Sequence, residues 1–237
     1  MTTKTIATPP SAQTVPPLRE GDRLTVAEFH RRYEAMPPHV KAELIKGVVY
    51  MSSPLSMEFH GDPHADLMVW MGLYRVSTPG VRVSDNATVC ELEGDNEPQP
   101  DSSLRILQAF GGRTHTTGKG YMGGAPELAA EVAASNVRLA LGDKMDMYRA
   151  NGTQEYIVWR VLDATIDWFV LRGDRYERLP LSSVIFKSEV FPGLWLDPEA
   201  LIHGDMARVV QVVQQGLASP EHAAFVQRLQ KAAGEAT

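Results

Sequence analysis

Glu131 is a charged residue at a position where the sequence pattern calls for a hydrophobic side chain. In the segment ELAAEVAA at 127–134, alternating side chains of a strand would put Glu131 on one face with Ala129 and Ala133. A carboxylate in the middle of a buried strand is costly unless it is paired, hydrogen-bonded or bound to a metal ion. The small alanines leave room beside it, so Glu131 is a candidate for chemistry.

Lys144 is a second misfit, on the helix expected directly after this strand. Val137, Leu141, Lys144 and Tyr148 recur at helical spacing and share one face. A lysine in that stripe can direct its ammonium group back at Glu131. Two interpretations stay open for these two residues alone: a buried ion pair that only closes the core, with the lysine reaching towards solvent, or part of a catalytic site.

Asp101 favours the catalytic interpretation. It ends the acidic segment 85–101, which holds six acids and no Lys or Arg, and it follows Pro100, a residue suited to the start of a strand. Asp101 is therefore expected at a strand end, beside an opening of the sheet. Two carboxylates on neighbouring strands can hold Mg²⁺, which activates a bound water, while a lysine supplies positive charge near a phosphate. This combination predicts metal-assisted hydrolysis of a phosphodiester.

Other motifs are weaker. His60 and His64 have the spacing of a helical zinc pair, but Pro63 places His60 before the helix and no third ligand follows nearby. The glycines at 111–124 lack the strand–GxxxxGK[ST]–helix context of a phosphate-binding loop.

The elements that must position these residues form a mixed α/β pattern. Residues 1–20 contain four prolines and predict a disordered tail. Helices are predicted from Thr25 to before Pro37, from a cap at Asp62 to Thr78, from a cap at Ser135 or Asn136 to Ala150, and twice after Leu201. Strands are predicted at 43–51 (with a hairpin around Lys46-Gly47), 81–83, 88–92, 99–107, 127–134, 155–161, 165–172 and 175–179, and a loop or loose hairpin at 111–124. This order predicts an α/β fold, a mixed sheet with helices on both faces.

Composition narrows the class of protein. The 237 residues are 43% hydrophobic, contain no apolar run long enough for a membrane helix, and begin without the apolar segment of a secretory signal. The single cysteine, Cys90, excludes an internal disulfide and indicates a reducing cytoplasm. The net charge of −6 opposes a broad basic surface for nucleic acid, but acids that hold metal ions are compatible with a nuclease.

An ordered set of short motifs resembles one protein family. The motifs are ELIKG at 43–47, Ser53-Pro54 with His60, QPD at 99–101, GAPELAAEV at 124–132, Lys144 with Tyr148, GTQEY at 152–156 and FPGL at 191–194. Together they resemble the Uma family, whose members are classed with restriction endonucleases of the PD-(D/E)xK fold. The resemblance covers residues 24–201, and no single motif is specific by itself. It implies a restriction-endonuclease-like domain at 21–201, between the tail and a C-terminal helical extension at 202–237.

The resemblance also implies roles for particular residues. Asp101 and Glu131 match the metal ligands of the family, for Mg²⁺ with Mn²⁺ as a substitute, and Lys144 matches a catalytic lysine that has moved from the position of Ala133 to the next helix. Glu43 matches an early glutamate that approaches the metal or orients its water. Its alternative role is that of a strand-end residue.

His60 matches a position at the edge of the site. Its alternative role is that of a helix-capping residue.

These observations leave three functions open. The first is a Mg²⁺-dependent DNA endonuclease, although no DNA-reading module such as a helix-turn-helix is recognisable. The second is a catalytically inactive nuclease-fold homodimer or partner-binding protein, with a dimer surface formed by Val209, Val210, Val213 and Leu217. The third is a metal hydrolase that acts on a small phosphoester. The presence of all three of Asp101, Glu131 and Lys144 favours the first.

Overall fold

The structure, a computed structural model, describes residues 15–52 and 56–235. Its helices are α1 (Val26–Tyr33), α2 (Asp62–Ser77), α3 (Val137–Leu139), α4 (Met145–Ala150), α5 (Pro198–Ile202), α6 (Met206–Leu217) and α7 (Pro220–Glu235). Its strands are β1 (Ala42–Ile45), β2 (Val48–Met51), β3 (Val81–Asp85), β4 (Val89–Cys90), β5 (Ser102–Ile106), β6 (His115–Thr116), β7 (Met122–Gly123), β8 (Leu128–Ala133), β9 (Glu155–Arg160), β10 (Thr165–Arg172), β11 (Arg175–Arg178), β12 (Phe186–Lys187) and β13 (Trp195–Leu196). Within these ranges, no helix is long and apolar enough to cross a membrane.

A six-stranded mixed sheet forms the centre of the molecule, in the order β11-β10-β9-β8-β5-β3. Strands β8 and β9 are parallel and are joined through α3 and α4, as a parallel crossover requires, while the other neighbouring pairs are antiparallel. Helices cover the sheet, so the predicted α/β fold with a mixed sheet flanked by helices is confirmed.

Alternation along β8 divides the core between the two faces of this sheet. Leu128 and Val132 pack on the face covered by α2, α6 and α7, whereas Ala129 and Ala133 pack on the face covered by α4. Glu131 belongs to the second face, as the alternating pattern predicts. Its alanine neighbours therefore contact α4, the helix that directly follows Lys144.

The hairpin of β1 and β2 turns at Lys46-Gly47, where both residues have positive φ angles of 49° and 75°. This confirms the predicted hairpin. Leu44 exchanges backbone hydrogen bonds of 3.1 and 2.8 Å with Glu97, which ties the hairpin to the segment before β5. The tie brings Glu43 to the second face of the central sheet.

Two π-helical turns depart from the predicted helices. The first, Met57–Gly61, is capped by Ser56, whose hydroxyl accepts a hydrogen bond from the Phe59 N–H. The prediction that Asp62 caps α2 is therefore wrong, because the chain is already helical before it. The second, Ala140–Lys144, interrupts the helix predicted to run to Ala150 and ends at the buried lysine.

The Gly-rich stretch forms the loose hairpin that was one of its two predicted structures. Strands β6 and β7 pair antiparallel, and β7 pairs parallel with β4, to give a small three-stranded sheet.

The ends of the predicted domain pack more closely than the sequence indicated. Of the predicted tail, residues 1–14 lie outside the described residues, while Leu18 is buried against Phe29 and Val49. In the predicted C-terminal extension, Val209 of α6 and Phe225 of α7 are buried in the main core.

The predicted dimer surface on α6 lies largely inside the protein. Val209 and Val213 are fully buried against α2 and the sheet of the same chain. An apolar stripe with this helical spacing occurs both on helices that pack against the core of their own chain and on helices that form dimers. Here the stripe packs against the core of its own chain.

Candidate functional site

A cleft of about 940 Å³ opens on the second face of the sheet, where β8 and β5 meet the β1–β2 hairpin. All five candidate residues line it: Glu43, His60, Asp101, Glu131 and Lys144. They come from five separate segments, so only the tertiary fold brings them together.

The Lys144 ammonium group lies between two carboxylates. Its Nζ is 2.9 Å from Glu131 Oε2 and 2.8 Å from Glu43 Oε1. The Tyr148 hydroxyl donates a 3.2 Å hydrogen bond to Glu131 Oε1, so both oxygens of Glu131 have a donor. Glu131 and Lys144 are nearly completely buried, whereas Glu43 retains access to the cleft.

Burial and the surrounding charges shift the pKa values of this cluster. Burial raises the pKa of Glu131 above its usual value; the nearby charges of Asp101 and Glu43 add to this effect, and Lys144 opposes it. For Lys144, burial acts to lower the pKa, but Glu131 and Glu43 outweigh it and raise the pKa above its usual value. Lys144 is therefore a fixed positive charge and a poor proton acceptor near neutral pH.

Asp101 is fixed by the strand that carries Glu131. Its Oδ2 accepts a 2.7 Å hydrogen bond from the backbone N–H of Val132, the residue after Glu131. The two acids are thus held on neighbouring strands, as the sequence predicts.

Two histidines hold Asp101 from the other side. His60 Nδ1 lies 3.2 Å from the Val132 carbonyl, which can only accept, so Nδ1 is the donor of this hydrogen bond. The other nitrogen, Nε2, lies 3.5 Å from Asp101 Oδ1. His64 Nε2 donates a 2.9 Å hydrogen bond to the Asp101 carbonyl.

The donor set of the cleft suits a hard cation. Asp101, Glu131 and Glu43 supply only oxygen ligands, and Lys144 is the cation that contacts two of them. Mg²⁺ commonly binds through one or two carboxylates and keeps several waters. In residues 15–52 and 56–235 no group of three or more His, Cys, Asp or Glu side chains is arranged to hold a metal ion, so such a site would use two carboxylates and water.

Sequence reasoning missed the contacts that fix Glu43. The Gln99 backbone N–H donates a 3.2 Å hydrogen bond to Glu43 Oε2, and its side-chain amide donates to the Ala42 carbonyl at 3.1 Å. Gln99 stands in the QPD motif, but no periodicity distinguishes it from a loop residue. The sequence pattern considered His64 only as a zinc ligand, a role that it disfavoured, and Ser53-Pro54 lies outside the described residues.

Comparisons with known proteins bear on the family and the fold of the chain. The family model Uma2, described as "putative restriction endonuclease", matches residues 26–199. The fold is similar to the crystal structure of "a putative nuclease belonging to DUF820" from Anabaena variabilis, with a TM-score of 0.57 and 15% identity over 76% of this chain and 98% of that one. No curated protein matches the sequence.

Proposed function

Because the chain belongs to the Uma2 family and has a nuclease-like fold, we propose that it is a Mg²⁺-dependent endonuclease that hydrolyses DNA phosphodiester bonds. One observation carries the proposal: of the carboxylates that line the cleft, Glu43 and Glu131 share one buried lysine, Lys144, and Asp101 lies beside them without a lysine or arginine partner among the described residues. A group of acids with too few positively charged partners destabilises the folded state. A binding site for a divalent cation requires such a group, because the cation itself supplies the missing positive charge.

Asp101 and Glu131 would hold the cation, and Mn²⁺ would substitute for Mg²⁺. When bound, such a cation polarises a phosphoryl oxygen and lowers the pKa of a coordinated water. The Val132 N–H fixes Asp101 by Oδ2, which leaves Oδ1 with only the long contact to His60. Asp101 is therefore positioned with one oxygen directed at the cleft.

Lys144 contributes positive charge beside the reacting phosphate. Because its pKa is raised, it stays protonated and stabilises developing negative charge without taking a proton. Glu43 shares the ammonium group and is partly exposed to the cleft, so it can orient the attacking water.

His60 is a positioning residue, since it contacts Asp101 and the Val132 carbonyl together.

Burial on α6 disfavours one form of the inactive-homodimer alternative. Of the four residues that would form the dimer surface, Val209 and Val213 are buried in the core of the same chain, and Val210 and Leu217 are partly buried. A cytoplasmic location remains a prediction that rests on the single cysteine.

Cleavage assays with matched variants test the proposal. Wild type, Asp101→Ala and Glu131→Ala are incubated with plasmid DNA and with the small diester bis(p-nitrophenyl) phosphate, in Mg²⁺, Mn²⁺ or EDTA. We expect metal-dependent cleavage of DNA by wild type and none by the variants, with thermal melting to verify that both fold. Calorimetry with Mn²⁺ should show binding by wild type and none by Asp101→Ala.

Three outcomes would overturn the proposal or part of it. If wild type cuts neither substrate, or if the variants cut as well as wild type, the enzyme assignment is wrong. If only the small diester is hydrolysed, the protein is a phosphoesterase and DNA is not its substrate.

A further inference from the structure

Two arginines face each other at the edge of the central sheet. Arg82 of the edge strand β3 is the cross-strand partner of Arg105 of β5. Directly opposed side chains on antiparallel strands lie roughly 5 Å apart at Cβ, and like charges in this position destabilise the sheet. The pair therefore needs an explanation.

Within residues 15–52 and 56–235 no acidic side chain forms a salt bridge with either arginine, and Glu127, which the register places opposite Arg105, only partly balances its charge. Arg82 is exposed, and its guanidinium group donates a hydrogen bond to the Val81 carbonyl at 3.0 Å. Arg105 is half-buried, and its buried Nε has no hydrogen-bond partner among the described residues. Burial and the neighbouring Arg82 both lower the pKa of Arg105, with Glu127 only partly opposing them. An anion at this position would relieve the repulsion.

The arginine pair lies on the same face of the sheet as the cleft. Arg105 alternates with Ser103, which pairs with Ala129, and Ala129 shares its face with Glu131. Asp101 directly precedes β5, so Arg105 lies roughly 13 Å further along the strand at ~3.3 Å per residue.

On this face of the sheet, β3 and β5 carry no acid between the cleft and the arginine pair. Ser103 stands between Asp101 and Arg105, and on the neighbouring chain segment Ser84 stands between Asn86 and Arg82. Asn86 itself lines the cleft. Asp85 points to the opposite face, where His64 approaches it at 3.4 Å.

We propose that Arg82 and Arg105 bind the phosphate backbone of duplex DNA a few nucleotides from the cleavage position. This inference rests on the proposed nuclease function. Guanidinium groups match the oxygen geometry of phosphate and can donate two hydrogen bonds at once. A separation of ~13 Å corresponds to about four phosphates along the axis of one DNA strand, at ~3.4 Å each. The pair would anchor the substrate in a protein whose net charge of −6 otherwise repels it.

Binding measurements in EDTA test this site without cleavage. The affinity for a labelled DNA duplex is measured by fluorescence anisotropy at several salt concentrations for wild type, Arg82→Gln, Arg105→Gln and the double variant. Arg75→Gln is the matched control, because Arg75 is an exposed arginine of α2, on the opposite face of the sheet.

We expect each substitution at the site to weaken binding roughly fivefold to tenfold and to reduce the salt slope by about 0.9 for each phosphate that the variant no longer binds. Arg75→Gln should match wild type in its affinity for duplex DNA and in its salt slope. Hydrolysis of bis(p-nitrophenyl) phosphate should stay unchanged in Arg82→Gln, because so small a substrate does not reach the arginines.

Failure of this inference is distinguishable from failure of the proposed function. If wild type binds duplex DNA but the site variants bind like Arg75→Gln, or if wild type binds no duplex at all, the arginine site is wrong. The proposed function fails separately, if wild type hydrolyses no diester or if Asp101→Ala keeps its activity.

Discussion

Two buried glutamates on neighbouring strands have opposite surroundings. Glu131 of β8 faces a cleft and contacts Lys144 and Tyr148, with further acids nearby. Glu155 of β9 lies on the other face of the sheet, away from the cleft. It accepts hydrogen bonds from the Ser188 hydroxyl at 2.7 Å and from two backbone N–H groups at 2.8 and 3.2 Å.

The difference shows that a raised pKa does not by itself mark a functional site. Burial is the main cause of the raised pKa in both residues, and it brings the pKa of Glu155 to about 7. Neutral donors satisfy Glu155 within a closed core, which is a structural role. Glu131 shares one lysine with a second acid and opens onto a cavity, which is the arrangement for binding a cation.

The largest effect should come from replacing the carboxyl group of each glutamate in turn by an amide. Glu131→Gln should lower metal-dependent DNA cleavage by about 10³-fold, because one of the two carboxylates that would hold the cation at the reacting phosphate is replaced by a neutral amide. Glu155→Gln should cut at nearly the wild-type rate, since it lies on the other face of the sheet. Equal losses in both variants, measured as initial rates on plasmid DNA, would remove the distinction between the two residues.

Removing the lysine tests whether Glu131 depends on a buried countercharge. Lys144→Met leaves Glu131 and Glu43 without their cation, and should lower the free energy of unfolding by about 3–5 kcal/mol. The double variant Glu131→Gln/Lys144→Met should recover part of this loss. Urea denaturation measures the free energy of unfolding of the single and the double variant. A Lys144→Met protein that is more stable than wild type and still cuts DNA would reduce the lysine to a structural partner.

The smallest effect is a pH dependence of stability that Glu155 contributes. Its folded pKa of about 7 lies above the usual 4.5, so the folded state binds the proton more tightly than the unfolded state. The contribution of Glu155 to the free energy of unfolding is complete below pH 4.5 and is lost as the pH rises to about 7. At ~1.4 kcal/mol per pKa unit, this contribution amounts to about 3 kcal/mol.

Glu155→Gln provides the control for this pH dependence, because the amide does not titrate. Denaturation at pH 5 and pH 8 should show a smaller difference for Glu155→Gln than for wild type. An identical difference in the two proteins would show that Glu155 is ionised throughout, as its three donors alone would favour.

Much of the fold was predictable because its signals are local. The strand of Glu131 and the helix of Lys144 follow from the period of apolar residues, and the Lys46-Gly47 hairpin follows from turn chemistry. The π turns were not predictable, since an extra residue in one helical turn leaves no mark on a pattern of this length. Because the π turn before α2 leaves no such mark, the sequence pattern starts the helix with a cap at Asp62.

The sequence by itself determined that Glu131 and Lys144 are charged residues at positions where the pattern calls for hydrophobic ones, and that Asp101 stands at the start of a strand. Only the tertiary structure decided that Glu43 shares the lysine, and that the arginines of β3 and β5 face each other. The physical reason is that side-chain period reports which face a residue occupies, whereas the register and order of strands depend on packing between distant segments. The sequence thus identified the charges, and the sheet decided which of them meet.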